Sequence, residues 1–320
     1  MRFSTVKALW ISSGVILAAV IAFQAGRGLF ESKRFPPFLS KTKDPENNIV
    51  QISIERLFFD KITLEKNAQA WRMTSPVDYP VQDNAVKDMV QALASAVVEE
   101  KISERKDKFL DFELDQARSI RLTVRNSRGK TALDGRIGKQ LSGSWDRSYF
   151  AFEGSSTAYV VKGLPRYYFE KRPNDLRSRL MFEASKERVA AVILSAGKKS
   201  VAIKRDGNVW KVGGKPAKED KVGEIIGMFG FLEANDFAEP WETKDGLKKL
   251  GLEGRPATIA AKIETLDGKK YELLIGHKKD TMYFAKLADQ PVIWKLADWK
   301  VSPLLIKEDD LRAAKTSSSN

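Results

Sequence analysis

The 320-residue chain contains no cysteine. Disulfides, thiolate nucleophiles and cysteine-ligated metals are therefore excluded, although this absence fits any redox compartment. Histidine is almost as scarce, His277 being the only one. Histidine-rich metal centres are excluded with it. Any catalytic triad would have to run through IGHKKD, a lysine-flanked turn after a strand, where an ordinary surface residue is expected. A phosphate-binding loop is missing too. In WKVGGKPAKEDKVGEIIGMF, residues 210–229, Gly213 and Gly214 precede Lys215, but the Walker spacing is absent, and Pro216 removes an amide that a phosphate cradle would use. The glycines are expected in a turn leading from a strand into a helix.

The remaining composition is that of a folded protein. At 42% hydrophobic and 10% aromatic residues, the chain can bury real cores, and its length allows two ordinary domains. The net charge of +13 attracts anionic partners in general: lipid headgroups, acidic envelope polymer, acidic protein or nucleic acid. The lysines and arginines are scattered, and neither an RNA-binding aromatic signature nor zinc-finger spacing accompanies them. A basic solvated surface is expected, with no nucleic-acid partner.

One uncharged run stands out. Ala8 to Gly26, ALWISSGVILAAVIAFQAG, comes after Arg2 and Lys7 and spans nineteen residues. At about 1.5 Å per residue it is close to the thickness of a bilayer's hydrocarbon core. A cleaved secretory signal is the alternative; cutting after Ala22 would place Val20 at the third position back, and Phe23 spoils a site at Ala25. The uncleaved anchor is favoured. Arg27, Lys33, Arg34, Lys41 and Lys43 lie beyond the run, so the positive-inside rule alone would keep that side cytoplasmic. A short basic stub before an amino-terminal apolar segment instead exports the chain beyond it, and this reading of the layout is preferred. Residues 31–48, with Pro36, Pro37 and Pro45, read as a semi-extended spacer holding the body off the membrane.

The body repeats itself. WRMTSPVDYPVQDNAVKDMVQAL, residues 71–93, has the shape of residues 210–229: Trp71 answers Trp210, Asp83 answers Asp220, and Val86, Met89, Val90 and Leu93 answer Val222, Ile225, Ile226 and Phe229. Both quartets fall at i, i+3, i+4, i+7, the buried stripe of an amphipathic helix. Asp83 and Asp220 lie where a carboxylate caps free amides or faces the positive helix end. Upstream, ISIERLFFDKITLEKNAQAW pairs with AAVILSAGKKSVAIKRDGNVW. Downstream, SIRLTVRNSRGKTALDGRIG pairs with TIAAKIETLDGKKYELLIG, and SYFAFEGSSTAYVV with MYFAKLADQPVIW. Trp71 to Trp210 and Ile120 to Ile259 are both 139 residues apart. Such spacing predicts an internal duplication. Each half is expected to run β-β-α-loop-β-β-β-β, with Trp71 and Trp210 as core anchors at a strand's end.

These features resemble the domain of unknown function numbered 4340, a duplicated bacterial domain. The resemblance is carried by the tryptophan-then-proline stretch opening into a helix, by LKKLGLEGRPATIAAKI, by hairpins ending in Ile-Gly before an aromatic strand such as MYFAKL, and by the junction LRSRLMFEASKERVAAVIL. It covers roughly residues 49–300. In the first half LDFELDQARSIRL stands for the Gly-Leu-x-x-Pro element, with Phe112 in the glycine place and no proline. The resemblance implies one amino-terminal membrane helix and proximity to ABC-type export systems of the kind first associated with gliding motility. It assigns no catalytic, cofactor-binding or metal-ligating residue, and none is expected. Ser-x-x-Lys occurs at Ser195/Lys198, Ser103/Lys106 and Ser127/Lys130, close to random in a chain so rich in lysine. The carboxylates Asp107, Asp111, Glu113 and Asp115 lack calcium-loop spacing and read as a loop docking on its sheet.

The expected architecture is α+β: an N-terminal transmembrane helix, then two duplicated units, each a mostly antiparallel sheet with one main amphipathic helix. The boundaries expected are 1–30 for the membrane anchor, 31–48 for the spacer, 49–175 and 176–310 for the repeats, and 311–320 for a frayed polar tail. The function expected is that of a non-enzymatic protein of the bacterial inner membrane, single-pass, with its body on the extracytoplasmic side. Its partners would be the membrane through residues 8–26 and other membrane proteins, ABC-type subunits foremost. An anchored binding module for an anionic envelope component is the alternative, and a hydrolase is third. Cofactors are not expected, and any small-molecule ligand is left open.

Overall fold

The computed structural model describes residues 35–39, 44–68, 70–183, 188–243, 245–253, 258–305 and 307–313. Ala8–Gly26 lies outside these. Among the described residues no helix is long and apolar enough to cross a membrane. The chain divides into two compact units between Leu176 and Arg177. Its architecture is α+β, dominated by two large antiparallel sheets.

In the first unit, β1 (Ile49–Glu55) lies between β2 (Ile62–Asn67) and β6 (Ile120–Asn126). Beyond β2 come β3 (Ala70–Ser75) and the two-residue β4 (Tyr79–Pro80). Beyond β6 come β7 (Thr131–Gln140), β8 (Arg147–Phe152), β9 (Ala158–Lys162) and β5 (Val97–Ser103). Ile52 pairs with both Leu64 and Val124, and all three side chains are buried. The strand period of two sends their neighbours Gln51, Glu65 and Arg125 to the other face. Helix α1 (Asp83–Ser95) covers the inner face, with Val86, Met89, Val90 and Leu93 in the same apolar cluster as Ile52, Leu64 and Leu122. Each such side chain contributes about 1.5–3 kcal/mol by leaving water.

The second unit repeats this order. Its sheet runs β14 (Lys215–Pro216), β13 (Val209–Val212), β12 (Lys199–Asp206), β11 (Val189–Ala196), β17 (Ile259–Thr265), β18 (Lys270–Lys279), β19 (Met282–Leu287), β20 (Trp294–Ala297) and β16 (Asp236–Phe237). Helix α2 (Glu219–Gly230) buries Val222, Ile225, Ile226 and Phe229. A small accessory ladder joins β10 (Leu180–Glu183) to β15 (Phe231–Glu233) and stacks Phe182 between Tyr271, at 4.8 Å, and Phe229, at 6.4 Å.

Three expectations about the repeated segments are corrected. The Trp-bearing segment is itself a strand: Trp71 and Trp210 are each the second residue of β3 and β13, so four strands precede each helix rather than two. Both rings are half-buried, and among the described residues the fully buried tryptophan is Trp294. Gly213 and Gly214, at φ +56° and +78°, form the two-residue turn of the β13–β14 hairpin, because such a turn needs positive φ at both positions. The helix begins only after that edge strand, which Pro216 tolerates because its missing N–H is not called upon there.

The spacer and the tail also differ from expectation. Phe38 is 4% exposed and packs edge-on to Phe150 at 4.9 Å, with Phe35 and Leu39 beside it, so this part of 31–48 belongs to the core of the first unit. At the other terminus, Leu311 is fully buried, Arg312 forms a bridge with Ala217, and the Ala313 amide donates to the Pro216 carbonyl at 3.0 Å. The tail is docked as far as Ala313.

Candidate functional site

Each sheet has an outer face, turned away from its helix, and one half of that face is covered by a loop. In the first unit Phe109 and Leu114 pack there with Ala151 and Ala158; in the second, Leu250 and Leu252 pack with Phe284. The loop can approach because the strand beneath it has no side chain at one point. A Cβ on Gly138 would overlap the Phe112 carbonyl oxygen, and one on Gly276 would overlap that of Leu250. This is the physical content of the Ile-Gly that ends each hairpin. The Leu114 amide donates to Phe109 and the Leu252 amide to Leu247, at 2.8 and 2.9 Å, closing the same turn in both loops. The residue before each leucine is left-handed: Gly251 at φ +72° and Glu113 at φ +57°. Glu113, not Phe112, therefore occupies the glycine place in the first half.

The other half of the outer face is open, and here the units diverge. Register makes Gln51, Ser53, Thr63, Arg121 and Arg136 equivalent to Ala191, Ile193, Ala202, Ala260 and Leu274. In the first unit these positions are polar: Gln51 donates to Glu65 at 2.7 Å and Arg121 pairs with Asp134 at 3.2 Å. In the second unit they are apolar, and two of them, Ala191 and Ile193, lie at the base of a cleft of ≈ 440 Å³ with Lys262, Glu264, Lys270, Glu272 and Asp289 around it. Lys262 pairs across strands with Glu272 at 3.6 Å and Lys270 with Glu264 at 3.9 Å, and Asp289 adds a third carboxylate to the rim. An apolar floor with a charged rim suits binding of an apolar group flanked by charges. The signal was present in VAAVILSA, which is apolar at successive positions where IVQISIE alternates.

A second electrostatic feature lies in the same unit. The Glu242 side chain is 7% exposed and is held by Lys295 at 2.6 Å and Lys279 at 3.0 Å. It also accepts the backbone N–H of Glu239 at 3.0 Å, the reciprocal half of a capping box for the short helix Pro240–Thr243. Burial alone would raise its pKa; the Glu239 amide and the two lysines outweigh that and bring it down to about 2. Such a carboxylate is a fixed anion, not a proton donor near neutrality. The E-P-W-E spacing was the sequence sign of it.

The residues weighed for catalysis are dispersed. Ser195 faces Ser200 across β11–β12 at 3.3 Å, Ser127 bonds Asn48, and the Ser103 hydroxyl accepts the Arg105 amide at 3.1 Å. Asp107 pairs with Arg105, Asp111 with Lys108 and Asp115 with Arg118, while Glu113 lies 3.7 Å from Arg166. Each carboxylate has its own cation. His277 lies within β18 rather than in a turn; its ring rests on Gly251, with Nδ1 3.1 Å from the Lys249 carbonyl oxygen. Trp71 lines a smaller cleft of ≈ 290 Å³ with Lys66, Lys87 and Asp83. Among the described residues no group of three His, Cys, Asp or Glu side chains could hold a metal.

Fold and surface together define a two-unit α+β protein with matching nine-stranded antiparallel sheets. The profile described as "Domain of unknown function (DUF4340)" matches residues 71–253, and the chain belongs to that family. No curated protein and no solved structure matched the chain.

Proposed function

We propose that this is a non-enzymatic cell-envelope protein, held in the bacterial inner membrane by residues 8–26 with both units on the extracytoplasmic side, and that it serves as an accessory subunit of an ABC-type transport system. The observation that carries the reading is the junction between anchor and body. A run of membrane-spanning length ends at Gly26, and only nine residues later the chain is fixed in the first unit by Phe35 and Phe38. The body is thus held near the bilayer, where it can meet membrane partners. The apolar cleft over Ala191 and Ile193 is the surface we assign to such a partner. The serines and carboxylates considered for hydrolysis are engaged in turns and separate ion pairs, which favours a binding role. We also read the two units as copies of one ancestral domain, supported by their common strand order and by the paired glycine contacts.

The net charge of +13 favours a second reading, an anchored module for an anionic envelope polymer. Affinity purification of the full chain from detergent-solubilised membranes decides between them. Recovery of an ATPase chain and its membrane subunit supports the transport reading. Recovery of polymer with no protein partner overturns it in favour of the second.

A further inference from the structure

Eight large hydrophobic side chains of the first unit are exposed among its described residues, and seven of them, all but Leu110, gather at one end of its sheet. That end is where β1, β3, β7 and β9 run out. The β1–β2 turn carries Leu57, Phe58 and Phe59, at 39%, 95% and 56% exposure. The adjoining β3–β4 turn carries Val77 and is tied to the first by the Ser75 hydroxyl, which donates to the Lys61 carbonyl at 3.1 Å. Trp145 on the β7–β8 turn is 72% exposed, and Tyr167, just past β9, is 45% exposed. Val97, where β5 begins, completes the set. Turns at the opposite end read Ser127-Arg128-Gly129 and Glu153-Gly154-Ser155-Ser156-Thr157.

Phe58 is the most telling of these. Its φ is +67°, a left-handed conformation that costs an L-residue roughly 1–2 kcal/mol. The β11–β12 turn of the second unit has Gly197 at φ +60°, with Lys198 next to it. The longer β1–β2 connection, residues 56–61, instead puts a phenylalanine in that conformation, 95% exposed. Arg56 braces the tip: its guanidinium stacks on Phe59 at 4.3 Å and donates to the Glu170 and Lys171 carbonyls at 2.8 and 3.0 Å. Lys61, which pairs with Glu55 at 2.8 Å, and Lys171 flank it, with Asp60 next to Phe59. Aromatic tips beside cations are the chemistry of the headgroup boundary.

We propose that this end of the first unit dips into the bilayer interface beside the anchor, with Phe58 and Phe59 as the deepest side chains. The inference rests on the anchored reading above. Phe38 packs on Phe150 and Phe152, at 4.9 and 6.5 Å, in the middle and at the far end of β8, and so within about one strand length, ~20 Å, of these turns. From Gly26 to Phe35 the chain reaches at most about 30 Å fully extended, which keeps this end within range of the membrane. Bilayer contact gives the apolar tips the burial that the fold denies them.

The test uses the cysteine-free full chain with one thiol introduced, Phe58→Cys in one protein and Lys198→Cys in another, each carrying an environment-sensitive fluorophore. Both are reconstituted into vesicles of phosphatidylethanolamine and phosphatidylglycerol and floated on a density gradient. The label at 58 should shift to the blue on reconstitution, be quenched by shallow nitroxide lipids and lose most of its quenching by aqueous iodide; the label at 198 should stay wet. If the protein floats but the label at 58 is quenched by iodide as fully as that at 198, the inference fails and the anchor stands. If neither protein floats, the anchor reading fails and takes the inference with it.

Discussion

Two glycines and three tryptophans set the energetics at the residue scale. Gly138 and Gly276 admit a carbonyl oxygen where any side chain would collide with backbone. Gly138→Ala and Gly276→Ala should each destabilise their unit by about 1–3 kcal/mol, the range for an overpacked contact, as read by urea denaturation. The tryptophans separate by burial. Trp294 is fully enclosed, and Trp294→Ala should cost about 3–5 kcal/mol. Trp71→Ala and Trp210→Ala remove half-exposed rings and should cost roughly 1–2 kcal/mol each. Equal melting shifts for all three would contradict the burial pattern. The prominence of Trp71 and Trp210 in the sequence pattern came from their spacing, and spacing does not report depth.

Helices and pairing explain which elements were readable. Val86, Met89, Val90 and Leu93, and their counterparts Val222 to Phe229, were legible because a helical stripe is a long-period signal that only a buried face satisfies. The β6–β7 and β17–β18 hairpins were legible from alternation around Gly129 and Gly268. The strands β4 and β14 have two residues each, too few for any period to show, and β5 reads VVEEKIS without alternation. The cleft escaped notice because it depends on which strands become neighbours, and Glu242 because Lys279 and Lys295 reach it from other strands. Its carboxyl sits at about 2 when folded, below the ordinary 4.5. A depressed value stabilises the fold above the unfolded pKa, by roughly 3 kcal/mol at neutrality, and that contribution is lost as pH falls from 4.5 toward 2. Glu242→Gln should therefore lower stability at pH 7 and converge on the parent protein near pH 2 in acid titrations monitored by circular dichroism. A constant difference across that window would mean that the ion pair contributes nothing.

At the scale of the whole molecule, the attachment of the amino-terminal segment to the first unit makes truncation sensitive to where it is cut. Removal of residues 1–30 spares Phe38 and should leave a folded protein in the supernatant after a high-salt wash. Phe38→Ala in the same truncated chain should cost about 3–5 kcal/mol, lowering the melting temperature without returning the protein to the pellet. Retention of the first truncation in the membrane fraction would disprove a single anchor. The common strand order has a kinetic side as well. While the chain folds, every strand meets two templates of the same pattern, its own and that of the other half, the setting in which tandem units misassemble. The outward residues sort the pairs. A strand β1 that captured β12 would bring Gln51 opposite Lys204 instead of Glu65, and β11 joined to β2 would face Ala191 against Glu65. Divergence between the two outer faces at these positions, polar at Gln51, Ser53 and Thr63 and apolar at Ala191, Ile193 and Ala202, would thus act as a proofreading code for strand partners.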